Sequence, residues 1–181
     1  VTYTIQPNAT WGDGMPVTTK DVLFSWRVGR HPKSGISSME FYRSLYKINA
    51  LDDKTFTLHF DKVTFDYNAI NDFSLLPAHI DELNFTEPED YKNKTAFDQD
   101  TENKGLYFGP YVIQKVASGS HVILEENPTW WGEKPKFKRI TVRVISNTAA
   151  LEANLLSGAI DMISGEMGLT VDQAIAFEKR H

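Results

Sequence analysis

The chain has 181 residues, 41% of them hydrophobic and 12% aromatic, and its 24 acidic side chains against 19 Lys and Arg give a net charge of −5. That length can bury a sizeable core in one domain or two small ones, and the acidic balance argues against a nucleic-acid binder, which needs a clustered basic face to neutralise phosphates. The absence of cysteine excludes disulfides, thiolate metal ligands and a thiol nucleophile, and no apolar run reaches the roughly 18 residues that a membrane-spanning helix needs.

Thr2 to Ile5 alternate and predict a strand, and Trp11-Gly12-Asp13-Gly14 predicts a tight turn signalled by Asp-Gly. Thr18 and Asp21 have capping-box spacing and open a helix expected to run to about Arg30. Its apolar positions, Val22, Leu23, Phe24, Trp26 and Val28, cover a wide arc, so one broad face is expected to be buried. Asp13 and Asp21 could be taken as paired carboxylates, but turn and cap roles account for both. After a break at His31-Pro32, residues Ser37 to Leu45 read as irregular or as one helical turn. Tyr46 to Ala50 and Thr55 to Phe60 then alternate around Leu51-Asp52-Asp53-Lys54 as a hairpin. Phe65 to Phe73 predicts a short helix with Ile70 inward, and Asp81 to Glu102, acidic and poor in β-branched residues, predicts a loop or weakly helical surface excursion.

Tyr111 to Val116 and Val122 to Glu126 predict a second hairpin through Ala117-Ser118-Gly119-Ser120, stopped by Asn127-Pro128 because proline has no N–H for a ladder. Trp130 and Trp131 are assigned to packing between that hairpin and the next strand, Arg139 to Ile145, which carries Ile140, Val142 and Val144 on one face. The Ala- and Leu-rich stretch Thr148 to Leu156 predicts a helix stopping at Gly158. A last short strand over Ala159 to Ile163, a flexible joint at Gly165 to Gly168 and a final helix from Val171 to Lys179 complete the expected elements.

Catalytic and metal chemistry find little support. The five histidines lie at least 20 residues apart, none with a second histidine at helical spacing, so a helix-borne two-histidine zinc site is not encoded. G-x-S-x-G, Walker A and G-x-G-x-x-G loops are all absent. No enzyme, metal or cofactor is expected.

Two long motifs carry a resemblance. Near the start stands Trp11-Gly12-Asp13-Gly14-Met15-Pro16-Val17-Thr18-Thr19-Lys20-Asp21-Val22. Later come Gly109-Pro110-Tyr111 before a hairpin, Asn127-Pro128 with Trp130-Trp131-Gly132, the strand from Arg139, and a helix ending Ser157-Gly158 with Ile160-Asp161 behind it. The chain resembles the extracellular solute-binding proteins of the peptide/nickel class (family 5), soluble receptors of ATP-driven importers. It departs from their pattern at Gly12, where Ser is usual, and at Tyr107-Phe108, where a small polar pair is usual.

The resemblance implies an α+β fold: a fragment of a type II periplasmic-binding-protein-like receptor, with mixed β-sheets, flanking helices, and strands outweighing helices. Residues 1–80 are expected in the small lobe and 81–181 in part of the main lobe, ending near the inter-lobe hinge. The N-terminal segment and second lobe are expected to lie outside the chain. The implied function is binding oligopeptides in an inter-lobe cleft, by main-chain hydrogen bonds and roomy side-chain pockets, for delivery to permease subunits. The alternatives are a nickel complex, an oligosaccharide or an opine-like solute, or a non-transport interaction domain. The implied ligand-binding residues are Ser164, Gly165, Glu166 and Met167, with Thr148, Tyr107 and Gly109 (the turn through Phe108), and Phe41 and Tyr42. A periplasmic or extracellular location is implied, with membrane contact only through the permease or a lipid anchor. The fragment alone is expected to bind peptide poorly and to self-associate through unpaired sheet edges.

Overall fold

Helix α1 (Thr19–Arg30) starts where its cap residues dictate. Asp21 accepts from the Thr18 N–H at 2.8 Å while the Thr18 hydroxyl accepts from Lys20 N–H at 3.3 Å, the expected capping box. The computed structural model describes residues 1–37, 39–62, 70–163 and 168–180.

The first sheet orders as β1–β3–β2, with β1 (Thr2–Thr4), β2 (Leu45–Ala50) and β3 (Thr55–Phe60) all antiparallel. The β2–β3 turn is tied by Asp52, whose carboxylate accepts from the Lys54 and Thr55 N–H groups, each at 2.7 Å. The wide apolar arc of α1 is explained by two cores, one on each side of it. Val22 packs with Leu45, Ile48, Phe56 and Leu58 of the sheet. Phe24 and Val28 pack instead with Leu76, Phe85 and Tyr91. Each such side chain contributes about 1.5–3 kcal/mol of burial. Trp26 joins helix to sheet by donating its indole N–H to Leu45 O at 2.9 Å. Helix α2 (Met39–Ser44) lies between α1 and β2 in the chain, one short helix where an irregular segment or single turn was expected.

The helix expected over 65–73 falls largely outside the described residues. From Ile70 the chain makes a turn, Phe73 N–H to Ile70 O at 2.9 Å, and both side chains pack against the sheet core.

Residues 81–102 correct the expected surface excursion. They form the end of α3 (Ala78–Asp81), a 3-10 turn (Glu82–Thr86), α4 (Pro88–Tyr91) and α5 (Ala96–Gln99), with Phe85, Tyr91 and Ala96 buried. The organiser is Asp81, itself fully buried. Its carboxylate accepts from Ala96 N–H and the Asn84 side-chain amide, both at 2.8 Å, and from the Tyr91 hydroxyl. The sequence pattern shows polar residues there but not that one carboxylate gathers three donors.

The second sheet orders as β4 (Tyr111–Ala117), β5 (His121–Glu126) and β6 (Arg139–Arg143). Gly119 takes a positive φ of 71° in the β4–β5 turn. The bonds Glu126 N–H to Lys138 O and Val144 N–H to Ser120 O run β5 and β6 antiparallel. Both sheets are thus antiparallel rather than mixed, and among the described residues seven α-helices stand against six strands, so strands do not outweigh helices. Helix α6 (Thr148–Leu156) has the predicted bounds, and its cap is Asn147, which accepts from Ala150 N–H at 2.8 Å. The strand expected over 159–163 is absent. Its first N–H groups, of Ala159 and Ile160, turn back onto Asn154 O at 2.9 and 3.2 Å to close the helix end, with Gly158 at φ 70°. The last helix, α7 (Val171–Arg180), opens on a reciprocal cap between Thr170 and Gln173.

The chain divides into two units, Val1–Val116 with Ile123–Ile140, and Ala117–Val122 with Thr141–His181. Residue 80 lies within the first of them.

Candidate functional site

The expected ligand turn at Tyr107 to Gly109 is built on the Trp11 loop. That loop closes through Trp11 N–H to Met15 O at 2.8 Å and Gly14 N–H to Trp11 O at 2.9 Å, with Gly14 at φ 87°. Asp13 accepts from Met15 N–H at 3.0 Å and pairs with His79 Nε2 at 2.8 Å, a turn and bridging role. Gly12 N–H donates to Tyr107 O at 2.7 Å. A Cβ on Gly12 would overlap the Lys104 carbonyl oxygen, so only glycine lets the two backbones approach this closely. The two places where the sequence departs from the resembled pattern therefore touch each other.

Phe108 then lays its ring edge-on to Trp11, centroids 5.2 Å apart, and lines an apolar cavity of about 210 Å³ with Val17, Phe56, Phe73 and Trp131. Trp11 is fully buried. Trp130 and Trp131 meet with their rings tilted by 43° and centroids 4.7 Å apart, but Trp131 packs against the Ala9, Trp11 and Val17 cluster rather than between hairpin and strand. Thr129 causes this by donating its hydroxyl to Trp11 O at 2.9 Å while its own carbonyl accepts from the Thr10 hydroxyl at 3.0 Å. The indole N–H groups of Trp11 and Trp131 are buried without an acceptor among the described residues. Sequence reasoning missed Trp131 as a cavity wall, because nothing in its spacing links it to Trp11.

The other expected residues separate. Tyr107 is half-buried; its hydroxyl donates to Thr101 O at 2.6 Å, its ring meets Phe97, and burial together with the Asp100 charge pushes its pKa up. Gly109 gives its carbonyl to the Asn127 amide at 2.8 Å and has open space where a side chain would stand. Tyr42 is a core residue, 1% exposed, its hydroxyl donating to Ser74 O at 3.2 Å and accepting from Ser74 N–H at 2.8 Å. Of that pair only Phe41 keeps exposed surface, edge-on to Tyr42, Phe60 and Phe73. Thr148, in the second unit, is the first residue of α6 and only partly buried. Ser164, Gly165, Glu166 and Met167 lie outside the described residues. Among the described residues no three His, Asp or Glu side chains come together as metal ligands, and no helix is long and apolar enough to cross a membrane.

The Tyr107–Gly109 turn thus rests on the aromatic Trp11 loop and is open at Gly109. The model of the bacterial extracellular solute-binding proteins, family 5 Middle, matches residues 1–179. The chain belongs to that family. Family 5 proteins and the neighbours found are substrate-binding proteins, not enzymes. Among family 5 relatives, the protein named Probable D,D-dipeptide-binding periplasmic protein DdpA of Escherichia coli is 32% identical over 99% of this chain and 33% of its own length. The oligopeptide-binding protein OppA of Mycobacterium tuberculosis is 30% identical over 89% of this chain and 27% of its own. Among solved structures, MoaA of A. tumefaciens R10, determined with mannopinic acid, aligns with a TM-score of 0.70 and 27% identity over 88% of this chain and 31% of that one. The fold is that of a periplasmic binding protein. The chain spans about a third of the length of the first of these relatives.

Proposed function

We propose that the protein containing this chain is the substrate-binding component of an ABC importer, and that it takes oligopeptides in an inter-lobe cleft for delivery to permease subunits. The observation that carries the ligand class is the identity of 32% and 30% to relatives whose names specify a dipeptide and oligopeptides. In this reading residues 1–80 belong to the small lobe and 81–181 to the main lobe. The open backbone at Gly109, with Tyr107 and Phe41 beside exposed surface, offers edge groups and aromatic walls of the kind an extended peptide uses. Thr148 and residues 164–167 are proposed as contacts from the second unit. The receptor works outside the cytoplasm, periplasmic or extracellular, with or without a lipid anchor, as the extracellular family suggests. About a third of a receptor's length supplies only part of the contacts and no closure, so the chain by itself should bind peptide weakly.

A second reading rests on the mannopinic acid bound to MoaA, a structure 27% identical to this chain: an opine-like or other small solute in place of peptide. Thermal melting of the full-length receptor decides between them. A di- to hexapeptide library is run beside nickel, simple sugars and mannopinic acid. A ligand at a hundred times its Kd adds about 2.7 kcal/mol of stability. A shift confined to peptides supports import of peptides; a shift confined to another arm replaces the ligand class and leaves the family standing.

A further inference from the structure

The outward stripe of α1 carries Lys20, Leu23, Arg27 and Arg30, spaced three, four and three residues apart and so on one helix face. Beside Trp26, Pro32 and Glu82 these residues line an open groove of about 660 Å³. Both guanidiniums are held in place by aromatic faces. Arg30 sits over the Trp26 ring at 4.7 Å, and Arg27 over Phe24 at 5.4 Å and Phe85 at 5.8 Å. Trp26 is itself anchored through its indole N–H to Leu45 O. Arg27 pairs with Glu82 at 2.6 Å, whereas Lys20 and Arg30 have no carboxylate partner among the described residues. Three cations against one carboxylate leave the groove positive in a chain whose net charge is −5.

We propose that this groove is a docking site for an acidic segment of a partner protein, one with carboxylates flanking an apolar side chain. Charge complementarity sets the sign, and the apolar floor of Leu23, Phe24 and Trp26 sets the need for an apolar residue between the charges. Pre-positioned guanidiniums lose little side-chain freedom on pairing with carboxylates. A bilayer surface fits less well, because the apolar atoms line a hollow rather than a projecting edge. This site is separate from the Trp11 loop and does not depend on the ligand imported.

The test uses the full-length receptor and a fluorescein-labelled peptide Gly-Glu-Leu-Asp-Phe-Glu-Gly, with blocked ends, read by anisotropy. Its partner probe replaces the three carboxylates by amides. Saturable binding is expected that weakens about tenfold for the amide peptide and for the double variant Lys20→Glu/Arg30→Glu, and that weakens further as salt is raised. Lys20→Gln/Arg30→Gln, with melts to confirm folding, guards against a folding defect in the reversal. The melting shift given by the imported ligand should be the same in all variants, which separates this site from the cleft. Binding that the charge variants leave unchanged places the peptide elsewhere and overturns the proposal. So does no binding at all, the result expected if the rest of the longer protein covers the groove. Charge-dependent binding to phosphatidylglycerol vesicles without binding to the peptide overturns it in favour of a membrane surface.

Discussion

Asp81 shows how much one side chain can organise. Replacing it by Ala strands the Ala96 N–H and Tyr91 hydroxyl in a buried site, and hydrogen bonds to a charged group are worth about 1.5–3 kcal/mol each. Asp81→Ala should therefore lower stability by about 3–5 kcal/mol in urea melts, whereas Tyr91→Phe, which leaves the carboxylate two donors, should cost only about 1 kcal/mol. Equal losses would mean that Asp81 does not gather the segment. Asp13 makes a pH-dependent contribution. Partial desolvation alone would raise its carboxyl, but the Met15 N–H and His79 outweigh it and hold the pKa below the ordinary 3.8. A depressed carboxylate stabilises the fold above its unfolded pKa and loses that contribution as pH falls through the folded value. Asp13→Asn should thus cost about 0.5 kcal/mol at pH 6 and less at pH 3, the pair being partly exposed. A cost that does not change with pH would mean that neither the Met15 N–H nor His79 favours the charged carboxylate.

At the scale of elements, local signals were legible and long-range ones were not. The Thr18–Asp21 cap, both hairpins and the bounds of α6 follow from spacing, turn residues and propensity, which act within a few residues. The short helices after Asp81 and the missing strand at 159–163 depend on partners a spacing pattern does not show. In the candidate site the same limit applies: the Tyr107 turn was legible as a motif, but its bond to Gly12 and the seat of Trp131 on Trp11 were not. Gly29 is another long-range case. In the last turn of α1 it looks costly, since Ala there should gain up to about 1 kcal/mol of helix propensity. Yet a Cβ would overlap the Tyr42 ring, whose hydroxyl is pinned at Ser74 and leaves the ring little room to slide. Overpacking costs about 1–3 kcal/mol, so Gly29→Ala should be net destabilising by about 1 kcal/mol in a denaturant melt, and Gly29→Ala with Tyr42→Leu should recover part of it.

For the whole molecule, the two units differ in what they bury. The first holds every core cluster among the described residues. In the second no described residue is buried, although α6 is six parts Ala and Leu in nine. A helix that is apolar on all sides belongs in an interior. Val142 and Val144 of the β6 region stand 50% and 62% exposed on one face, next to a strand edge. Relatives three times as long have chain to cover such surface, and the isolated 181 residues do not. Sedimentation velocity of the isolated chain should therefore show concentration-dependent self-association, suppressed by Val142→Lys with Val144→Lys, because edge-facing lysines oppose strand pairing. Hydrogen exchange gives the complementary reading. The amides of α6 should exchange far faster than those of α1 and β3 in the isolated chain, and should gain protection in the full-length receptor. If the isolated chain instead stays monomeric and α6 is as protected as α1, the second unit has found its own packing and needs no covering partner.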